Sequence, residues 1–225
     1  MASDLGVWKD RWQDGNTGWR QQGVNETLVK YYSLLKLSTD TAAKQKIFLP
    51  LCGSTVDLLY LAKECNLTVV GVEISELAIE TFFNDNSLAF TKEGDVYKCT
   101  NHDIIIYVED LFTFQTVKDF DAIWDYASFV AIDPELRPRY LAAVGNLLKK
   151  DGVWLLANFD YSLEEKESHR GPPWPIKQED FVQLVNKCET ALSVEEVGSL
   201  DCLTGRWKQQ GLTYMDLHAW VLKHK

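Results

Sequence analysis

Two short apolar runs, each followed by a helical pattern, constrain this chain more than any other feature. Ile47 to Leu51 is apolar and stops at Cys52-Gly53, and Val56 to Lys63 then carries Leu58, Leu59 and Leu61 at helical spacing. Thr68 to Val72 is a second, β-branched run that closes on Glu73. After it Ser75 stands as an N-cap before Leu77, Ala78, Ile79, Phe82 and Phe83. Strands apolar on both faces belong to a parallel sheet covered by helices on both sides, so the pattern predicts an α/β fold.

The stretch from Leu88 to Val108 breaks this rhythm. Short alternating pieces surround Glu93-Gly94-Asp95 and Asn101-His102-Asp103, which predicts an inserted hairpin whose last strand is Ile104 to Val108. The alternation resumes with a strand Phe120 to Trp124, a helix opened by Pro134 and running to about Lys150, and a strand Val153 to Phe159 after Asp151-Gly152. Beyond Gly171-Pro172-Pro173, Gln178 to Lys187 is expected to be helical, and Leu192 to Val197 and Thr213 to Leu222 to be strands. No repeat or low-complexity linker interrupts the chain, so residues 1–225 are expected to form one domain. The first 35 residues stand apart. Trp8, Trp12 and Trp19 lie there among Lys, Arg, Asp, Gln and Gly without an apolar stripe, which reads as a helical lid outside the core. Trp124, Trp154 and Trp220, on expected strands, read as core.

With 225 residues and 46% apolar side chains, the chain can bury about two-thirds of its unfolded surface in a single core. Its formal charge of -10 argues against nucleic acid as a partner, because phosphate binding rests on Lys and Arg. No apolar run approaches the roughly 20 residues that span a bilayer, so no membrane association is expected. Cys52, Cys65, Cys99, Cys188 and Cys202 lack any Cys-x-x-Cys or histidine-paired spacing, and His102, His169, His218 and His224 form no constellation. Neither a disulfide framework nor a metal site is expected. In the absence of an apolar leader segment, the expectation is a monomer in a reducing, cytoplasmic setting.

In an open parallel sheet, ligands bind beyond the carboxyl ends of the strands. Those ends are Leu51-Cys52-Gly53, Glu73, Glu109-Asp110 and Asp125-Tyr126. A carboxylate closing the second strand can accept hydrogen bonds from both hydroxyls of a ribose, and Glu73 fits that role. Gly53 is the one glycine of the first turn, where a dinucleotide site carries three around a pyrophosphate. A nucleoside cofactor without a pyrophosphate fits better, and S-adenosylmethionine is such a molecule. Cys52, beside this turn, has no basic neighbour to lower its pKa and reads as a small packing residue.

Phe48-Leu49-Pro50-Leu51-Cys52-Gly53, followed by Val70-Gly71-Val72-Glu73-Ile74-Ser75-Glu76-Leu77, resembles the cofactor-binding signature of the thiopurine methyltransferases. Further blocks agree: Trp8-Lys9-Asp10-Arg11-Trp12 with Gly15 and Trp19, Phe120-Asp121-Ala122-Ile123-Trp124-Asp125, and Gly171-Pro172-Pro173. The likeness covers nearly the whole chain and is weakest in the hairpin and around residues 162–170. It implies a Rossmann-like class I methyltransferase: a seven-stranded, mostly parallel sheet with an antiparallel last strand, helices on both faces, and methyl transfer from S-adenosylmethionine, which becomes S-adenosylhomocysteine. By the same resemblance Trp8 and Trp12 close over the cofactor, Leu51 and Gly53 line it, Glu73 holds the ribose, and Asp110 and Leu111 contact the adenine. Trp19, Pro173 and Arg206 match positions that face the substrate, and Tyr126 stands between the two.

One departure bears on specificity. Thiopurine methyltransferases read Trp-Asp-Arg-Gly after the fourth core strand, whereas this chain reads Trp124-Asp125-Tyr126-Ala127. The segment from Asp125 to Pro138, and Gly205-Arg206-Trp207-Lys208, look like the related plant halide and thiol methyltransferases instead. The expected substrate is therefore a small thiol or thiopurine sulfur. The alternatives are a small inorganic anion such as bisulfide, thiocyanate or halide, and a catalytically silent cofactor-binding domain. Proximity suffices for such a displacement, so no acid–base residue is required; Tyr126 and Arg206 are the candidates for favouring an anionic nucleophile.

Overall fold

In the computed structural model of the chain, residues 5–38, 43–162 and 171–225 are described; His169 and the first four residues of the expected lid lie outside them. The helices are α1 (Leu5–Gln13), α2 (Glu26–Tyr31), α3 (Asp57–Lys63), α4 (Glu76–Asp85), α5 (Ser128–Ala131), α6 (Arg137–Gly145), α7 (Gln178–Asn186) and α8 (Gly205–Gln209). The strands are β1 (Lys46–Leu49), β2 (Thr68–Glu73), β3 (Phe90–Glu93), β4 (Val96–Cys99), β5 (Ile104–Val108), β6 (Phe120–Tyr126), β7 (Leu148–Tyr161), β8 (Leu192–Asp201) and β9 (Met215–His224). They form one sheet in the order β3-β4-β5-β2-β1-β6-β7-β9-β8. β5, β2, β1, β6 and β7 run parallel, while β9 is antiparallel to both β7 and β8. Among the described residues no helix is long and apolar enough to cross a membrane.

The mostly parallel sheet and its antiparallel last strand match the expectation, but the sheet has nine strands where seven were expected. The inserted hairpin accounts for the difference. β3 and β4, joined by the two-residue Gly94-Asp95 turn, extend the sheet beyond β5 because Tyr97 turns inward against Phe83 and Phe90. The helix expected from Pro134 to Lys150 is also corrected. Pro134–Leu136 form a 3₁₀ turn, α6 ends at Gly145, and β7 already begins at Leu148. Gly145 ends the helix where a Cβ would press within 3.1 Å of Thr190 Oγ1, and Leu147 and Leu148 then serve the sheet core. β1 stops at Leu49 because Pro50 lacks a ladder N–H and Leu51 turns left-handed at φ 45°. Ser75 caps α4 as expected, and Trp124, Trp154 and Trp220 are core residues.

The N-terminal segment is not wholly a lid. Leu28 and Leu35 are fully buried in the main core, and Trp12 is buried outside it. The sequence hid this because α2 is only six residues long, too short for an apolar period to show. Asn25 caps it, its Oδ1 accepting from the Thr27 and Leu28 amides at 2.8 and 3.4 Å. Asp57, buried at the start of α3, anchors the segment: its Oδ1 accepts the Asn25 N–H at 2.8 Å and its Oδ2 the Trp124 indole N–H at 2.8 Å. Burial raises the Asp57 pKa against these donors. If residues 24–35 are core, Leu28→Ala should lower the urea unfolding free energy of the whole domain by about 2–5 kcal/mol. A detachable lid would leave that transition unchanged.

Candidate active site

Strand order reverses at β1, so the carboxyl ends of β1, β2 and β6 converge where such sheets hold ligands. The turn after β1 contains two left-handed residues, Leu51 (φ 45°) and Gly53 (φ 53°). Glycine adopts the second without strain, and a Cβ there would stand 3.5 Å from the Trp12 ring. The turn brings the Gly53 N–H to Glu73 Oε2 at 2.9 Å, while Glu73 Oε1 accepts from the Ile74 and Ser75 amides at 2.8 Å each. Burial raises the Glu73 pKa, and the three N–H bonds oppose that shift. Two carboxylate oxygens offer about four lone-pair sites, so Glu73 can still accept from a ligand. Cys52 is buried, and burial followed by the Glu73 charge pushes its thiol well above the ordinary range, as befits a packing residue.

Trp8, Trp12 and Trp19 form one edge-to-face cluster, with Trp19 centroids 5.3 Å from Trp8 and 6.1 Å from Trp12. Arg11 lies over Trp8 and Trp19, and Arg20 over Trp12. Arg20 also ties the cluster to the turn after β1 and to the end of α4, donating to Ser54 Oγ at 2.8 Å and pairing with Asp85. Arg206, exposed on α8, donates to the Gly18 carbonyl at 3.1 Å and so joins the C-terminal part of the chain to this cover. Tyr126 ends β6 with its ring stacked on Trp124 and edge-on to Phe159. Its hydroxyl oxygen accepts from Gln21 Nε2 at 2.8 Å, and burial pushes its pKa up.

The other expected site residues lie further out. Asp110, half-buried after β5, accepts the Phe112 N–H at 3.0 Å, and Leu111 is buried in the core. The Pro173 carbonyl accepts the Tyr161 hydroxyl, and the neighbouring Trp174 N–H donates to the Val130 carbonyl at 2.8 Å. This loop is held further by Arg137, whose buried guanidinium donates to the Trp174 and Pro175 carbonyls and is lowered to about 10 by burial. Thus Gly53 meets Glu73 and lies beside Trp12, with Leu51 in the same turn, Trp8, Trp19 and Arg206 extend that group, and Pro173 belongs to the β7–α5 side. Sequence reasoning missed Gln21, Asn25 and Asp57. The first two are ordinary polar residues of a loop, and an acid in the first turn of a helix carries no mark of what it faces.

These features belong to a known lineage. The sequence profile described as thiopurine S-methyltransferase matches residues 3–225. The chain belongs to the thiopurine S-methyltransferase family. A family relative named thiopurine S-methyltransferase from Shewanella putrefaciens is 30% identical, with 98% of this chain and 99% of that protein aligned. One of the same name from Mus spretus is 31% identical over 97% of this chain and 90% of its own. The fold also resembles a Burkholderia thailandensis 1,6-didemethyltoxoflavin-N1-methyltransferase, with a TM-score of 0.67 at 13% identity over 98% of this chain and 87% of that one. A Synechocystis magnesium protoporphyrin IX methyltransferase gives a TM-score of 0.63 at 14% identity over 99% and 98%. This thiopurine S-methyltransferase family member is an S-adenosylmethionine-dependent methyltransferase with the class I fold.

Asp125, next to Tyr126 but on the opposite face of β6, is fully buried, and the Tyr140 hydroxyl donates to its Oδ2 at 2.7 Å. Burial pushes its pKa up to about 6 from 3.8, against donors that include Tyr140 and the Phe129 amide. The folded protein therefore binds a proton here that the unfolded chain releases, so this group's contribution to stability falls as pH rises from about 4 to about 6 and is flat above. Urea titrations across that window should show Asp125→Asn losing this slope, about 3 kcal/mol in the parent for a shift of about two units. Parallel profiles for parent and variant would contradict the assignment.

Proposed function

We propose that this methyltransferase acts on a small, soft sulfur nucleophile, a thiol or thiopurine sulfur, presented between Tyr126, Trp19 and Arg206. The observation that carries the reading is the hydroxyl of Tyr126 at the carboxyl end of β6, beside the turn where Trp12, Gly53 and Glu73 meet. S-adenosylmethionine supplies a methyl group already activated on a sulfonium, so the protein's share of the work is placement and the exclusion of water. Glu73 would accept a ribose hydroxyl on the one lone-pair site that Oε2 has left, and Leu51 and Gly53 would line the cofactor from the turn after β1. Asp110 and the apolar side of Leu111 would flank the adenine. Trp8 and Trp12 would close over the site, where an aromatic face beside a sulfonium contributes ~0.5–2 kcal/mol.

On the acceptor side, a free thiol with a pKa near 8.5 is only a few per cent thiolate at neutral pH, so a site that stabilises the anion raises the reactive fraction. Tyr126 would supply one donor and Arg206 a positive charge, with Trp19 as an apolar wall and Pro173 on the far side. A second reading, methylation of a small inorganic anion such as bisulfide, thiocyanate or halide, is favoured by one specific feature. Tyr126 replaces the arginine of the thiopurine enzymes, and a neutral phenol offers one donor where a guanidinium offers five. That suits a compact nucleophile better than an extended purine anion.

Two measurements test this reading. Glu73→Gln should weaken S-adenosylhomocysteine binding by about 1.5–3 kcal/mol in calorimetry, since it replaces a charged acceptor for the ribose; unchanged affinity would remove Glu73 from the cofactor site. For the acceptor, the ratio of kcat/KM for bisulfide to that for a mercaptopurine should favour bisulfide in the parent and shift toward the purine in Tyr126→Arg. A parent ratio that strongly favours the mercaptopurine and does not respond to the substitution would show that Tyr126 does not select the acceptor.

A further inference from the structure

Four hydrogen bonds around Tyr126 have polarities that the backbone dictates. Backbone N–H groups can only donate, so Asn25 must present Oδ1 to the amides of Thr27 and Leu28. Its Nδ2 is thereby directed outward and donates to Gln21 Oε1 at 2.9 Å. With its oxygen occupied, Gln21 turns Nε2 to the Tyr126 hydroxyl and donates at 2.8 Å. An amide orientation that is ordinarily assigned by choice is here forced from one end of the chain to the other. The Tyr126 oxygen is consequently an acceptor within the protein, and its own proton is left to be given to something else.

The relay is also clamped in space. Asp57 accepts the Asn25 N–H with one carboxylate oxygen and the Trp124 indole N–H with the other, and the Trp124 ring is stacked on Tyr126 at 6.1 Å between centroids. Asn25, Gln21, Tyr126, Trp124 and Asp57 therefore close a ring of contacts that spans the N-terminal segment, α3 and β6. Within that ring Gln21 is exposed and the other four are wholly or largely buried. Burial raises the Tyr126 pKa, with the Asn25 side chain acting in the opposite sense, so the phenol keeps its proton at neutral pH.

We infer that Gln21, Asn25 and Asp57 are positioning residues that fix Tyr126 as a hydrogen-bond donor to the methyl acceptor, so that Tyr126 recognises a nucleophile arriving as an anion and does not act as its base. The inference rests on the reading that a sulfur nucleophile is bound beside Tyr126. It goes beyond that reading by assigning the direction of the hydrogen bond and the residues that set it. No proton leaves the enzyme in the step. The thiolate sulfur forms the new bond to the methyl carbon, the sulfonium bond to that carbon breaks, and the Tyr126 proton stays on its oxygen throughout.

Exposed Gln21 allows a test that leaves the core intact. With bisulfide as acceptor, Gln21→Ala should lower kcat/KM about tenfold, the scale of one hydrogen bond to a charged group, with S-adenosylhomocysteine affinity unchanged. Gln21→Glu should be worse, because its carboxylate accepts the Tyr126 proton and turns the donor away from the site. Relative to Gln21→Ala it should recover as pH falls through the glutamate range, where a protonated carboxyl can again donate. Placed on a Tyr126→Phe background, Gln21→Ala should have almost no further effect.

A second readout does not depend on turnover. With 3-fluorotyrosine incorporated, the ¹⁹F resonance of Tyr126, identified by its loss in Tyr126→Phe, should move in Gln21→Ala and in Asp57→Asn. Failure of the resonance to move in Gln21→Ala, or a full Gln21→Ala activity loss persisting without the Tyr126 hydroxyl, would overturn the relay. Should the parent enzyme methylate neither bisulfide nor a mercaptopurine, the sulfur-acceptor reading falls, and the resonance alone still decides whether the relay exists.

Discussion

A carboxylate removed from water must find donors to replace the water it lost, and the architecture around the active site follows from how three such groups do so. Glu73 takes its donors from the turn after β1 and from the first residues beyond β2, so one side chain holds two strand ends and the approach to α4 together. Asp57 takes one donor from the N-terminal segment and one from β6. Asp125 takes its closest side-chain donor from α6, on the opposite face of the sheet. Glu73 and Asp57 gain part of their donors only when separate elements arrive together, whereas Asp125 keeps Oδ1 buried without a partner among the described residues, in line with the raised pKa of that carboxyl.

The same logic divides the N-terminal segment into two parts with different energetics. Residues 24–35 bury Leu28 and Leu35 and are pinned by Asp57, so they stand or fall with the core. Residues 5–23 are held by aromatic edges, by Arg20 on Ser54 and Asp85, and by Arg206 on the Gly18 carbonyl. Apart from the buried Trp12 ring, those contacts are exposed or half-buried, and exposed ion pairs contribute at most about 1 kcal/mol each. The outer part of the segment is therefore held less firmly than the part that follows it.

Fold neighbours at 13–14% identity carry names that place their methyl groups on quite different acceptors. The half of the site made by β1, β2 and the glycine turn belongs to the shared fold. The residues proposed for the acceptor side lie elsewhere, in the segment after α1, in α8, in the loop at 171–175 and at the last residue of β6. Tyr126 ends β6, where the sheet passes into those segments.

The order of strands and helices, the Ser75 cap and the turn at Gly53 with Glu73 at the end of the second strand were legible because each leaves a local trace: an apolar run, a helical period, a turn residue at a strand end. The boundaries of α6, the incorporation of β3 and β4 into the sheet, and the burial of Leu28 and Leu35 were not, since short elements carry too few residues for a period and their burial depends on what arrives against them. Least legible were the polar contacts. Gln21 meets Tyr126 across 105 residues of chain, Asp57 meets Trp124 across 67, and Arg206 meets Gly18 across 188. By itself the sequence determined which segments must hide from water, because hydrophobic burial is set by residue type and spacing. The tertiary structure alone decided which donor faces which acceptor, because a hydrogen bond is directional and short, and nothing along the chain records the geometry that satisfies it.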